Sequence, residues 1–149
     1  MKLSTKGRYG LKAMFDLALH NGDGPISLKS IAERQKISDH YLEQLIASLR
    51  KAGLVKSVRG AQGGYMLADV PSKITVGDII RILEGPLGLS DCVLEGDPAD
   101  CDNANYCVTR VVWKKIQTSI SEVVDSITLQ DMLDDYEKIG NNKENMYYI

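Results

Sequence analysis

The chain has 149 residues, 44% of them hydrophobic and 26% charged, proportions of a soluble globular protein that exclude wholesale disorder and fibrous repeats. No run of about eighteen apolar residues offers a membrane span, and the opening MKLSTKGRYG lacks the apolar stretch of an export signal, so a cytoplasmic location is expected. Three cysteines in that setting make metal binding or redox chemistry a better expectation than a disulfide framework.

The formal net charge of -2 hides an asymmetry: residues 1–68 carry eleven Lys/Arg against five acids, a surplus of +6, and the remainder is -8. Such a split suits a module for a polyanion joined to one with another task. In chain order, Ser4 or Thr5 is placed to cap a first helix reaching about Leu19, with Met14, Leu17 and Ala18 on its apolar face and Asn21-Gly22 and Gly24-Pro25 breaking the chain after it. Ser27 caps a short second helix, Leu28 to Gln35. Lys36-Ile37-Ser38 makes a three-residue turn, and Ser38 caps a third helix that Ala52-Gly53 closes. Leu42, Leu45, Ile46 and Leu49 form one buried stripe on that helix; His40, Tyr41, Glu43, Gln44, Ser48 and Lys51 remain for the opposite face.

A short turn between two helices, with polar groups crowding the start of the second, fits a recognition helix in the DNA major groove. Gln44 has the chemistry to bond adenine bidentately and Glu43 to accept from a cytosine amino group. The strand Leu54–Val58, the turn Arg59-Gly60-Ala61-Gln62-Gly63-Gly64 and the return Tyr65–Leu67 then read as a wing. Arg59 and Gly60 at its tip suit a narrow minor groove, and Lys2, Lys6 and Arg8 suit flanking phosphates. GAQGG is no nucleotide loop, since a strand follows it and no Lys-Ser/Thr. The expected fold is mainly α with a small β-hairpin wing: a winged helix-turn-helix followed by a long dimerisation helix.

In the acidic part Thr75 caps a helix from Val76 to Glu84, which Gly85-Pro86 ends. Residues 86–105 show no period. Helical spacing returns from about Asn105 to Ser126, with Val108, Val112, Ile116, Ile120, Val123 and Ile127 in one stripe. A helix of that length spans about 30 Å, more than the rest of so small a chain covers, so its stripe is expected against a second copy of itself, with Trp113 packing at the seam. Thr128 starts a last helix toward Lys138, and Gly140-Asn141-Asn142 marks a tail. Three units are expected: a DNA-binding unit over 1–70, a connecting helix and cysteine-bearing loop over 71–104, and a dimerisation helix with its tail over 105–149.

Cys92, Cys101 and Cys107 lie in a C-x8-C-x5-C pattern within sixteen residues, among Asp, Asn and Gly. Thiolates so close in sequence favour a soft metal or an iron–sulfur cluster. Zinc sites prefer C-x2-C pairs, which are absent, and oxidation to a disulfide is the rival chemistry. A thiol oxidoreductase is disfavoured, because there is no C-x-x-C, no phosphate loop and no paired general acid and base around the thiols.

The segments KLSTKGRYGLKAM, ISDHYLEQLIASLRKAGLVKSVRGAQGGYML and ITVGDIIRILEG, with the C-x8-C-x5-C-x2-R-x2-W stretch, resemble the IscR/NsrR/CymR family of bacterial winged-helix repressors over most of the chain. The branch that regulates iron–sulfur cluster assembly is the most similar. The resemblance implies a homodimer on a palindromic operator in double-stranded DNA, with Ser38, Tyr41, Glu43, Gln44 and Arg59 in the positions used against DNA. It implies Cys92, Cys101 and Cys107 as ligands of an iron–sulfur cluster, 2Fe-2S in preference to 4Fe-4S. Arg110 stands where assembly regulators carry a histidine, and Arg8 and Lys12 offer no carboxylate. The fourth ligand is therefore open among a loop Asp or Glu, His40, His20 and an exogenous thiol. The implied function is repression of cluster-assembly genes; the alternative is a cysteine-metabolism or redox- or nitric-oxide-responsive repressor with a zinc or disulfide switch. The cysteine-metabolism branch shares a similar ending to Met146-Tyr147-Tyr148-Ile149, which implies cysteine synthase as a partner that captures the terminal carboxylate.

Overall fold

The computed structural model describes residues 2–147, six helices and one two-stranded hairpin. Helix α1 (Thr5–Leu19) buries Ala13, Met14, Leu17 and Ala18 on its core face. Ser4 stands at its N-cap as expected, yet its side chain closes no cap bond onto its own helix. Helix α2 (Leu28–Gln35) is capped by Ser27, whose Oγ accepts from the Ser30 amide at 3.2 Å. The turn that follows uses no glycine: Lys36 adopts the left-handed conformation at φ 55°, and Ile37 drops into the core. Helix α3 (Asp39–Lys51) begins with the Tyr41 amide on Ser38 Oγ at 3.3 Å and buries Leu42, Leu45, Ile46 and Leu49.

Strands β1 (Val55–Val58) and β2 (Gly64–Leu67) pair antiparallel, Val55 facing Leu67 and Val58 facing Gly64. The chain just before α2 adds a partial third edge, because Ile26 and Tyr65 exchange both backbone hydrogen bonds at 2.9 and 2.8 Å. Gly64 permits that approach: a Cβ there would lie 2.3 Å from the Ile26 carbonyl oxygen.

Helix α4 (Val76–Glu84) starts in a reciprocal box, Asp78 N–H to Thr75 Oγ1 and Thr75 N–H to Asp78 Oδ2, both 3.0 Å. Its apolar face (Val76, Ile79, Ile80, Leu83) is buried, and α1 comes close to it through Gly10, where a Cβ would overlap the Leu83 side chain. Ile74, Ile79, Leu83 and Leu129 join the core residues of α1–α3 in one apolar cluster.

Each hairpin strand starts one residue from its expected position, and two helix boundaries differ further. Helix α5 (Val108–Ser126) starts three residues after Asn105, because Ala104–Tyr106 tighten into a 3-10 turn and Cys107 stands extended at the N-cap. Helix α6 (Leu129–Tyr147) does not stop near Lys138 but runs through Gly140-Asn141-Asn142. A glycine costs a helix only about 1 kcal/mol relative to alanine, and Gly140 is not among the glycines with positive φ that would end one. The start of α6 is firmly held: Thr128 and Asp131 form a second reciprocal box at 2.9 and 3.1 Å. Leu129 is fully buried, and Phe15 meets Tyr136 edge-on at 5.5 Å. No helix among the described residues is long and apolar enough to cross a membrane. Tyr148 and Ile149, on which the expected tail capture depends, lie outside the described residues.

Candidate DNA-binding face and cysteine loop

The buried stripe of α3 leaves His40, Glu43, Gln44 and Ser48 exposed on its outer side, with Ser38 exposed at the helix start. Gln44 Nε2 lies 3.2 Å from His40 Nε2, and the Ser48 hydroxyl returns a hydrogen bond to the Gln44 carbonyl at 3.2 Å. Tyr41 is half-buried because its ring meets Tyr9 of α1, centroids 5.9 Å apart and planes at 83°. The Arg8 guanidinium and the Lys12 ammonium lie 5.9 and 5.5 Å from the Tyr9 ring centre. Lys6 is exposed on the same helix. Arg59 and Gly60 are exposed at the hairpin tip, where Gly60 takes φ 114° and its carbonyl accepts from Gly63 at 3.0 Å. Arg50 of α3 reaches Ser57 of β1 at 3.3 Å, tying helix to wing. These groups present hydrogen-bonding and cationic chemistry on one scaffold, as a duplex reader needs.

Behind the helix-turn-helix, Asp16 is 1% exposed and accepts from Arg34 and Gln35 of α2. Burial works to raise its pKa, but the hydrogen bonds of Arg34 and Gln35 and the charges of Arg34 and His20 outweigh it and hold the carboxyl below its ordinary value.

The cysteine loop runs from Gly85 to the start of α5. All three thiols are free: Cys92 is half-buried beside the Ser90 hydroxyl at 3.3 Å, Cys101 is exposed, and Cys107 stands at the α5 N-cap. The Thr109 hydroxyl, 3.1 Å from Sγ, holds the Cys107 thiol below its ordinary pKa, helped by the first backbone amides of α5 and by the Arg110 charge. As a donor set, three free cysteines suit a soft metal or an iron–sulfur cluster. Among the described residues, however, no group of three or more His, Cys, Asp or Glu side chains is gathered to hold a metal ion.

One acid of this loop is held in an ion pair. Glu95 receives Nε and Nη2 of Arg81 at 2.8 and 3.0 Å, the Leu87 amide at 3.2 Å and the Ser121 hydroxyl at 2.6 Å. The Arg81 hydrogen bonds lead in pulling its carboxyl down to about 2. Arg81 also grips Asp125 of α5. Four hydrogen bonds thus occupy the carboxylate of Glu95, one of the loop acids considered as a fourth ligand. His20 has Nδ1 against the Asp16 carbonyl at 2.9 Å. The Arg81 clamp escaped sequence reasoning because its partners are 14 and 44 residues away. A lone arginine in the last turn of an apolar helix was the available signal.

Helix α5 leaves much of its apolar surface open: Val108 is 78% exposed, Val111 53% and Val123 56%, with Trp113 and Ile116 also exposed. Gln117 is the only buried residue of α5, and its Oε1 has no hydrogen-bond partner among the described residues.

The family profile described as "Iron-dependent Transcriptional regulator" (Rrf2) matches residues 3–135. The HTH-type transcriptional regulator CymR of Bacillus subtilis (strain 168) is 48% identical over 149 residues, covering 100% of both chains. Among solved structures, T. potens IscR superposes with a TM-score of 0.78 at 60% identity, covering 93% of this chain and 90% of that one. The B. subtilis global cysteine regulator CymR gives 0.74 at 53% identity, covering 89% and 95%. These relatives are transcriptional regulators, and the mainly helical fold with its hairpin wing is theirs. The chain belongs to the Rrf2 family of transcriptional regulators, the group that includes IscR and CymR.

Proposed function

We propose that the chain is a cytoplasmic, homodimeric repressor of iron–sulfur cluster-assembly genes, sensing a cluster held by Cys92, Cys101 and Cys107. The observation that carries this reading is the placement of three free thiols on one loop that ends at the N-cap of α5, with Cys107 already biased toward the thiolate. When bound, a cluster of the 2Fe-2S type supplies a centre whose occupancy tracks iron and oxidants. The uncovered apolar stripe of α5 supports a second copy as the occupant of that face. Two recognition helices about 34 Å apart then read a palindromic operator through Ser38, His40, Tyr41, Glu43, Gln44 and Ser48. Arg59 and Gly60 of each wing and Lys6 take the flanking groove and phosphates. Regulation requires that loaded and empty forms differ in operator affinity.

The test is anaerobic purification followed by visible absorption and iron, sulfide and zinc analysis, with the Cys92→Ala, Cys101→Ala, Cys107→Ala variant alongside. A coloured protein with iron and sulfide, a colourless variant and different operator affinities are expected. Iron-free wild type from oxygen-free cells overturns the reading.

A second reading, repression of cysteine-metabolism genes through a zinc or disulfide switch, is favoured by the end-to-end match to CymR. Zinc or an oxidised thiol pair in the same analysis selects it. It brings cysteine synthase as a partner for the C-terminal tail, and an unchanged cysteine-synthase pull-down after deletion of the last four residues removes that partner.

A further inference from the structure

We infer that the last turn of α4 couples the cysteine loop to the DNA-binding unit, with Glu84 as its positioning residue. Helix α1 lacks a side-chain cap of its own. The three donors at its start, the Ser4 amide, the Ser4 hydroxyl and the Gly7 amide, converge instead on a single oxygen, Oε1 of Glu84, at 2.9, 2.5 and 3.0 Å. A carboxylate from the end of one helix therefore completes the beginning of another, where the positive end of the helix dipole favours it. Gly7 is part of the arrangement, since a Cβ there would lie 2.4 Å from Glu84 Oε1.

Three residues before Glu84, Arg81 holds Glu95 of the cysteine loop and Asp125 of α5. Three residues after it, the Leu87 amide donates to the same Glu95 carboxylate. One helical turn thus has an arm on the loop, an arm on α5 and an arm on the start of α1. From there α1 carries Lys6, Arg8 and Tyr9, and Tyr9 seats Tyr41 at the head of the recognition helix. Any rearrangement of the loop that frees Glu95 loosens the turn that sets Glu84, and so the first turn of α1. These charged hydrogen bonds, joined through the α4 turn and the Tyr9–Tyr41 ring contact, are a physical route for coupling, and its worth is measured by non-additivity.

The inference rests on the reading of the chain as a DNA-binding regulator but not on what the thiols hold, and its test needs no loaded protein. A duplex is selected from a random pool by the wild-type protein. Its affinity is then measured with and without Glu95→Gln in four backgrounds: wild type, Gly7→Ala, Glu84→Ala and Glu84→Gln. Gly7→Ala displaces the carboxylate while improving intrinsic helix propensity, so a loss there is not a weakened helix. Glu95→Gln is expected to shift affinity about fivefold or more in wild type and Glu84→Gln, which keeps an acceptor oxygen. The shift falls below about twofold in Gly7→Ala and Glu84→Ala. Amide exchange in the first turn of α1 should rise with Glu95→Gln in wild type, a readout that local damage to the loop does not move. An equal Glu95→Gln shift in all four backgrounds, or none in wild type, overturns the coupling. Absence of any selected duplex overturns the DNA-binding reading, and the colour and iron of the samples report on the cluster separately.

Discussion

Arg34 closes a two-pronged grip on Asp16, Nε to Oδ2 at 3.0 Å and Nη2 to Oδ1 at 2.8 Å. The pair fixes α2 on α1 and so sets the position from which α3 departs. Asp16→Ala removes three side-chain hydrogen bonds from a buried site, Gln35 supplying the third. The expected cost is about 2–3 kcal/mol, read by urea unfolding. Arg34 keeps part of its hydration, so the larger penalty of a stranded buried charge does not apply. A loss well under about 1 kcal/mol would show that the grip contributes little.

The Arg81–Glu95 tie sets a pH dependence of defined sign. Its carboxyl is depressed from 4.5 to about 2, so the stabilisation is complete above about 4.5 and is lost as pH falls through about 2. With both side chains roughly a quarter exposed, the contribution is about 1 kcal/mol at most. The unfolding free-energy difference between wild type and Glu95→Gln should be constant near neutrality and fade in acid. A difference that persists undiminished there would contradict the assignment.

Close approach of α1 to α4 makes Gly10 intolerant of a methyl group. Gly10→Ala places Cβ into Leu83, and overpacking of this kind costs about 1–3 kcal/mol although alanine is the better helix former. Thermal unfolding should show a lower midpoint for the variant; an equal or higher one would mean that α4 withdraws freely.

The Cys107 thiol should be alkylated by iodoacetamide at a rate that depends on Thr109. In Thr109→Val the leading hydrogen bond at Sγ is lost, so the pH of half-maximal alkylation rises and the rate near neutrality falls by roughly two- to threefold. Peptide mapping isolates the residue. Unaltered kinetics would assign the activation to the helix start alone.

For the wing, Arg59→Ala should weaken duplex binding across sequences and reduce the slope of log affinity against log salt by about 1. Superimposable salt titrations would remove Arg59 from the phosphate or groove contacts.

The parts of the fold legible in the sequence are those governed by neighbours along the chain. Ser27, Ser38 and Thr75 announce their helices by local cap chemistry, and α2 and α4 occupy the expected spans. The stripe of α3 follows from spacing alone. What escaped depends on distance. Ser4 looks like a cap, but the group that caps α1 is 80 residues away. Glu95 looks like a free loop acid, and only the folded chain places Arg81 against it. Gly140-Asn141-Asn142 reads as a stop, yet α6 continues through it, because a helix ends only where its backbone leaves helical geometry. On the candidate site, the thiols are visible as a set in sequence, but their spacing carries no information on how the loop folds around them.

The double backbone bond between Ile26 and Tyr65 anchors the returning strand of the hairpin on both sides, to β1 and to the segment before α2. Rocking of the whole hairpin would break the Ile26–Tyr65 bridge, which leaves the fingertip, residues 59–63, beyond the last pair of Val58 and Gly64, as the least restrained part. In the proposed DNA contact, adaptation to grooves of differing width then falls to a few residues bearing one guanidinium, while the paired strands beneath them keep their place.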